Sequence, residues 1–178
     1  RRTSTVAIAE AAAGKEHVLH LQIRNGTDMV LLNALSRLIY EQGWQDQTFI
    51  QERTSNFEAM QATNLTQDLG EAITLTGIPM EQMRQAAEWI AKPKAEAVRR
   101  RTLFLYEKGL IWGLKNYENV ASVVDLALLT GNLGKPGAGC GRLGGHQEGY
   151  SRPDYPGKRP PVNVDEVAIK GGASKVFW

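Results

Sequence analysis

The chain has 178 residues, of which 42% are hydrophobic and 22% charged, a composition that supports one ordinary folded domain with a sizeable core and argues against disorder. Its formal net charge of +2, with no basic stripe interleaved with aromatics, excludes nucleic acid as the implied partner. A single cysteine, Cys140, excludes an intrachain disulfide framework and any Cys-only metal site, and no apolar run approaches the roughly 20 residues needed to cross a bilayer.

Arg1-Arg2-Thr3-Ser4-Thr5 lacks the apolar centre of a signal peptide. With no initiating Met, and an apolar end at Val176-Phe177-Trp178, the chain is expected to be a piece of a longer protein. Val18 to Ile23 alternates apolar and polar residues in part between Gly14-Lys15 and Asn25-Gly26, which predicts a first strand. His17 and His20, three apart on an extended segment, then point to opposite faces and cannot share a metal. Thr27-Asp28 opens a helix whose apolar positions Val30, Leu31, Ala34, Leu35, Leu38 and Ile39 follow the 3.6 period as far as Gly43.

Three further helices are predicted over 46–53, 65–75 and 79–91, the last with Pro79 early and Met83, Ala86, Ala87 and Ile90 on one face. Arg99-Arg100-Arg101 reads as a solvated junction rather than a phosphate clamp. It leads into a second strand, Thr102 to Tyr106, apolar at its centre as a buried parallel strand would be. A helix over 116–129 and a glycine-rich loop from Gly131 to Gly149 follow. Residues 150–163, rich in Pro, Gly and Arg, form a connection or linker. This order predicts an α/β fold: a Rossmann-like parallel sheet flanked by helices, whose ligands bind outside the carboxyl ends of the strands.

The candidate chemistry sits at those ends. Asn25-Gly26-Thr27-Asp28 lies between the predicted strand and a helix start, where free backbone N–H groups suit a polar or anionic ligand. Asp28 either caps the helix, a device worth about 1 kcal/mol and the simpler local reading, or accepts hydrogen bonds from a ribose or from guanine N–H groups. Glu107-Lys108-Gly109 marks the exit of the second strand. Gly139-Cys140-Gly141-Arg142-Leu143-Gly144 formally satisfies G-x-G-x-x-G, but it follows a helix and leads into no obvious helix, which disqualifies it as a dinucleotide fingerprint. Its glycines instead let a bulky group lie against the backbone. Arg142 and His146 could fix a small oxyanion, Arg as a forked donor that never deprotonates and His as a donor or acceptor near neutral pH. They could equally satisfy loop carbonyls.

Arg1-Arg2-Thr3, Gly26-Thr27-Asp28 and the run Leu129-Thr130-Gly131-Asn132-Leu133-Gly134-Lys135-Pro136-Gly137 together resemble the molybdopterin oxidoreductases of the dimethyl sulfoxide reductase superfamily. The likeness narrows to the arsenite oxidase large subunits through Leu19 to Asp28, Tyr106 to Gly113 and Arg142 to Pro153. The segment Gly144-Gly145-His146-Gln147-Glu148-Gly149-Tyr150 carries most of the distinction. The resemblance implies that residues 1–141 form part of a Rossmann-like cofactor-binding domain and that 142–178 form an active-site loop and crossover into a neighbouring domain. It implies a molybdenum bis-molybdopterin guanine dinucleotide held with the help of Asn25, Gly26, Asp28, Glu107, Lys108, Gly109, Gly144, Gly145 and Gln147. Arg142 and His146 would line an arsenite pocket, with no metal ligand from this chain.

The implied reaction is oxidation of arsenite to arsenate. Electrons would pass through an iron–sulfur cluster of the intact subunit, outside these residues, to a small Rieske iron–sulfur subunit and then to a cytochrome or copper acceptor. The implied setting is the periplasm, with only indirect membrane association. Two other readings stand beside this one: another molybdopterin oxidoreductase of the formate dehydrogenase or nitrate reductase type, and a non-catalytic nucleotide-binding or interaction module.

Overall fold

The computed structural model describes residues 9–96, 98–112 and 115–143. The chain divides after Gly141, and of the part beyond that point only Arg142 and Leu143 are described. Residues 9–12 are helical. The named elements are α1 (Asp28–Glu41), α2 (Gln47–Arg53), α3 (Phe57–Leu65), α4 (Leu69–Thr76), α5 (Met80–Ala91), β1 (Leu103–Tyr106), α6 (Lys108–Ile111), α7 (Asn116–Leu129) and β2 (Gly139–Arg142). β1 and β2 pair as a two-stranded sheet. They run parallel, and the Gly139 N–H donates to the Thr102 carbonyl (3.2 Å) where both strands begin.

α1 is the hub, packing against α3, α4, α5 and α7. Leu31, Ala34, Leu35, Leu38 and Ile39 of the predicted stripe are all buried. Its N-cap, Thr27, makes no side-chain cap bond. The helix is therefore held by its apolar face, where each buried Leu or Ile contributes about 1.5–3 kcal/mol, more than the roughly 1 kcal/mol of a cap. Gly43, at φ 66°, ends it: the Gly43 N–H reaches the Tyr40 carbonyl and the Trp44 N–H the Ile39 carbonyl, both at 3.0 Å. Met83, Ala86 and Ala87 of α5 and Leu126 and Leu129 of α7 complete the core around Ile39.

Several sequence expectations change. Residues 18–23 form no strand. Their alternation is real, since Leu19, Leu21 and Ile23 pack on the core while His20, Gln22 and Arg24 face out. Among the described residues, however, no neighbouring strand forms a ladder with them. The Ile23 N–H bonds locally to the Leu21 carbonyl and only Arg24 reaches across, to the Thr76 carbonyl (3.0 Å). The helix predicted over 65–75 starts later, as α4 at Leu69, and α3 (Phe57–Leu65) before it was not predicted. Asp68 accepts from the Glu71 N–H at 2.6 Å and starts a new helix, so the chain breaks at 66–68. β1 is exposed on one face, with Leu103 54% and Leu105 50% accessible, rather than buried throughout. The glycine-rich segment contains a strand, β2, which opens at Gly139 with φ 149°, a conformation that glycine adopts freely.

The arginine run is not merely solvated. Arg99 donates to the Trp44 carbonyl (3.0 Å), Arg100 to that of Lys92 (2.7 Å) and Arg101 to that of Pro136 (3.0 Å).

Candidate functional site

The turn that precedes α1 is built before its candidate residues are placed. The Arg24 guanidinium donates to the Thr74 carbonyl (2.5 Å), and the Thr27 hydroxyl donates to the Arg24 carbonyl (2.7 Å). Gly26, at φ 82°, closes the reversal, and a Cβ there would meet nothing within 4 Å. Asn25 and Gly26 are exposed, and Asp28, half-buried, is the first residue of α1. The cap is thus not made by the Asp28 side chain. Among the described residues its carboxylate has no hydrogen-bond partner, and it stands at the positive end of a 14-residue helix.

The exit of β1 is a tight corner. Glu107 is the N-cap of α6, and the Lys108 ammonium lies over the Trp112 ring, 5.2 Å from its centroid. Trp112 is 68% exposed, and Gly109 has open space where a Cβ would stand. β2 ends at Arg142. Burial pushes the Cys140 thiol up from its ordinary range, which disfavours the thiolate. His146, Gly144, Gly145 and Gln147 lie outside the described residues.

Sequence reasoning missed a set of residues whose work is to hold the strand entrances. Asn132 is 1% exposed. Its side-chain oxygen accepts from the Thr102 N–H (2.9 Å), its side-chain NH2 donates to the Thr130 hydroxyl (2.8 Å), and its own N–H donates to the Ala127 carbonyl (2.8 Å). The Thr102 hydroxyl donates to the Ile90 carbonyl (2.9 Å). One residue earlier in the run, Gly131 (φ 65°) faces Asp46, and a Cβ there would collide with the Asp46 carboxylate. That carboxylate caps α2 through the Phe49 N–H (3.1 Å) and pairs with Lys135 (3.1 Å). The run from Leu129 to Gly137 therefore joins the end of α7, the start of β1 and the start of α2. The available signal was a buried-type Asn beside Gly in a short loop between helix and strand.

A second polar cluster lies among α1, α3 and α7. Burial pushes the Tyr40 phenol up to about 12; Asn64 opposes the shift and Asp125 adds to it. The Tyr40 hydroxyl is buried and has no partner in hydrogen-bonding geometry, so the influence of Asn64 is one of proximity. The half-buried Asp125 carboxyl is raised above its usual range by burial.

No protein-family model matches the chain. Individual proteins do. The arsenite oxidase subunit AioA of Herminiimonas arsenicoxydans is 45% identical over 100% of this chain and 21% of its own length. The iodate reductase subunit IdrA of Denitromonas iodatirespirans is 37% identical over 96% of this chain and 23% of its own. Formate dehydrogenase H of Escherichia coli (strain K12) is 30% identical over 89% and 23%. The chain belongs to the molybdopterin oxidoreductases. It spans about a fifth of the length of these relatives. Relatives in this family use molybdenum with a molybdopterin cofactor. Among the described residues no helix is long and apolar enough to cross a membrane.

Proposed function

We propose that this chain is part of an arsenite-oxidising catalytic subunit, in which its residues hold one guanine nucleotide of a bis-molybdopterin guanine dinucleotide and line the oxyanion pocket. The observation that carries the reading is the 45% identity to AioA over the entire chain. The residues at hand fit the nucleotide: an Asp28 carboxylate with no partner among the described residues, beside exposed Asn25 and an open Gly26, can accept from guanine N–H groups. Glu107, Lys108 and Gly109 would form a further wall, and Gly144, Gly145 and Gln147 would allow the cofactor to lie against the backbone.

When bound, the molybdenum cofactor supplies the two-electron oxidation. The chain's own part is positional and electrostatic. Arsenous acid arrives neutral at neutral pH and an anion leaves, so a permanently cationic Arg142 favours the charge that develops on oxygen. His146 holds one arsenic hydroxyl and accepts its proton. The electrons would leave through the iron–sulfur cluster of the subunit to a Rieske partner and a cytochrome or copper acceptor, in the periplasm.

The identity to iodate reductase favours a second reading, in which the same cation receives an oxyanion for reduction. The test uses the full-length subunit loaded with cofactor, assayed for arsenite-dependent dye reduction and for iodate-dependent dye oxidation. Arsenite activity is expected, and Arg142→Ala or His146→Ala should each lower turnover by about 10²–10³-fold, the loss of one preorganised donor, with molybdenum content unchanged. Activity with iodate alone selects the second reading. Near wild-type turnover in both fully loaded variants removes the pocket assignment.

A further inference from the structure

We propose that Asn132 and Thr102 form a positioning pair that sets the register between β1 and β2, and with it the places where Glu107 and Arg142 leave the sheet. The inference rests on the reading of those exits as cofactor and substrate walls. It begins from the smallness of the sheet: each strand has four residues, and among the described residues each has only the other as neighbour. Strands this short have little of their own to fix register, and a slip of one residue turns every side chain to the opposite face.

The register is fixed from outside the strands. Thr102, the residue before β1, uses all three of its polar groups on different segments: its N–H on Asn132, its hydroxyl on the Ile90 carbonyl, and its carbonyl on the N–H of Gly139, the first residue of β2. One residue thus ties the loop after α7, the end of α5 and the entrance of β2. Asn132 suits its position because it is needed as an acceptor at one end and a donor at the other. Its NH2 meets the Thr130 hydroxyl, which already donates to the Leu126 carbonyl (2.8 Å) and so can accept. Asp would lose the donor, Leu both functions, and Gln would not fit a site 1% exposed.

Gly139 completes the device. At φ 149° it takes a backbone conformation that L side chains rarely adopt, and a Cβ there would meet the Leu103 side chain at 3.6 Å. The entrance of β2 is thereby seated against the first residue of β1; Glu107 follows Leu103 by four residues, and β2 ends at Arg142, three residues after Gly139.

The test compares three variants of the full-length holoenzyme. Asn132→Ser leaves a polar group too short to reach Thr102. Thr102→Val removes the hydroxyl bond to Ile90 but keeps both backbone bonds. Asp68→Ala removes the cap of α4 away from the sheet. Hydrogen exchange at the Thr102 and Gly139 amides should lose protection together, at least tenfold, in Asn132→Ser and in neither of the others. KM or kcat for whichever substrate the wild type turns over should change at least tenfold in Asn132→Ser, while Asp68→Ala leaves both within about twofold at a comparable loss of Tm. Unchanged protection of Gly139 in Asn132→Ser overturns the proposal, as does an activity loss that merely follows Tm across the three. If the wild type turns over neither arsenite nor iodate, the functional reading fails and the exchange measurement still decides the pair. Should Asn132→Ser not fold, Gly139→Ala takes its place: a tenfold or larger change in KM or kcat supports the proposal, and retention of wild-type KM and kcat overturns it.

Discussion

Among the described glycines, Gly131 is where side-chain volume is least tolerated. Its left-handed φ of 65° alone makes alanine unfavourable, and the new Cβ would collide with the Asp46 carboxylate that caps α2 and pairs with Lys135. Gly131→Ala should destabilise by about 1–3 kcal/mol, the cost of a strained backbone, with more added if the cap is displaced. Chemical denaturation of the two proteins checks this; equal midpoints would show that the contact yields freely. Asp125 makes the opposite case. Burial holds its folded-state carboxyl above the unfolded value, so the folded state keeps its proton longer. Its ionisation costs stability above the folded pKa, and that cost is relieved as pH falls towards the unfolded value. Asp125→Asn should therefore raise Tm at neutral pH by a degree or two at most, because solvent reaches a half-buried side chain, and the gain should vanish near pH 4. A Tm difference that grows on acidification would contradict the assigned cause. Tyr40 works at the other end of the scale: with its phenol pushed up to about 12, it favours the folded state until alkali titrates the unfolded tyrosine first.

At the scale of elements, what could be read from sequence was whatever a single helix or strand decides by itself. α1, α5 and α7 declare themselves by the 3.6 period of residues that do reach the core, and α2 by its cap, Asp46. α3 went unpredicted and α4 was expected four residues too early; a carboxylate at Asp68 starts α4, and Asn56 at φ 59° starts α3. Residues 18–23 carry a strand's alternation, and the alternation correctly names Leu19, Leu21 and Ile23 as inward, but pairing requires a neighbour that period cannot supply. β2 escaped notice for the converse reason. Gly139-Cys140-Gly141 has poor strand propensity and pairs because Thr102 presents a carbonyl to it. At the candidate site, the turn at Asn25–Asp28 and the corner at Glu107–Gly109 were legible as punctuation. The Asn132–Thr102 junction was not, since its partners stand 30 residues apart.

For the whole molecule, a chain about a fifth the length of its relatives would, on the proposed function, supply one part of what encloses a large cofactor. The 178 residues produced alone should neither oxidise arsenite nor retain molybdenum, because contacts become productive only when the remaining walls hold both reactants in place. Stoichiometric molybdenum and arsenite-dependent dye reduction in the purified chain would overturn this. Exposed Leu103 and Leu105 on β1, with Trp112 beyond, present apolar surface that should make the isolated chain self-associate, measurable by sedimentation.

The seam between α5 and β1 is fastened by three successive guanidinium groups, each on a neutral carbonyl of a different segment. Such a fastening discriminates by shape rather than by charge. A lysine at Arg99, Arg100 or Arg101 would keep the net charge of the chain and yet lose the planar, directed donor, so a change that looks conservative on a titration curve would unfasten a neighbouring segment. Along this stretch the fold depends on the geometry of its cations and not on their charge alone.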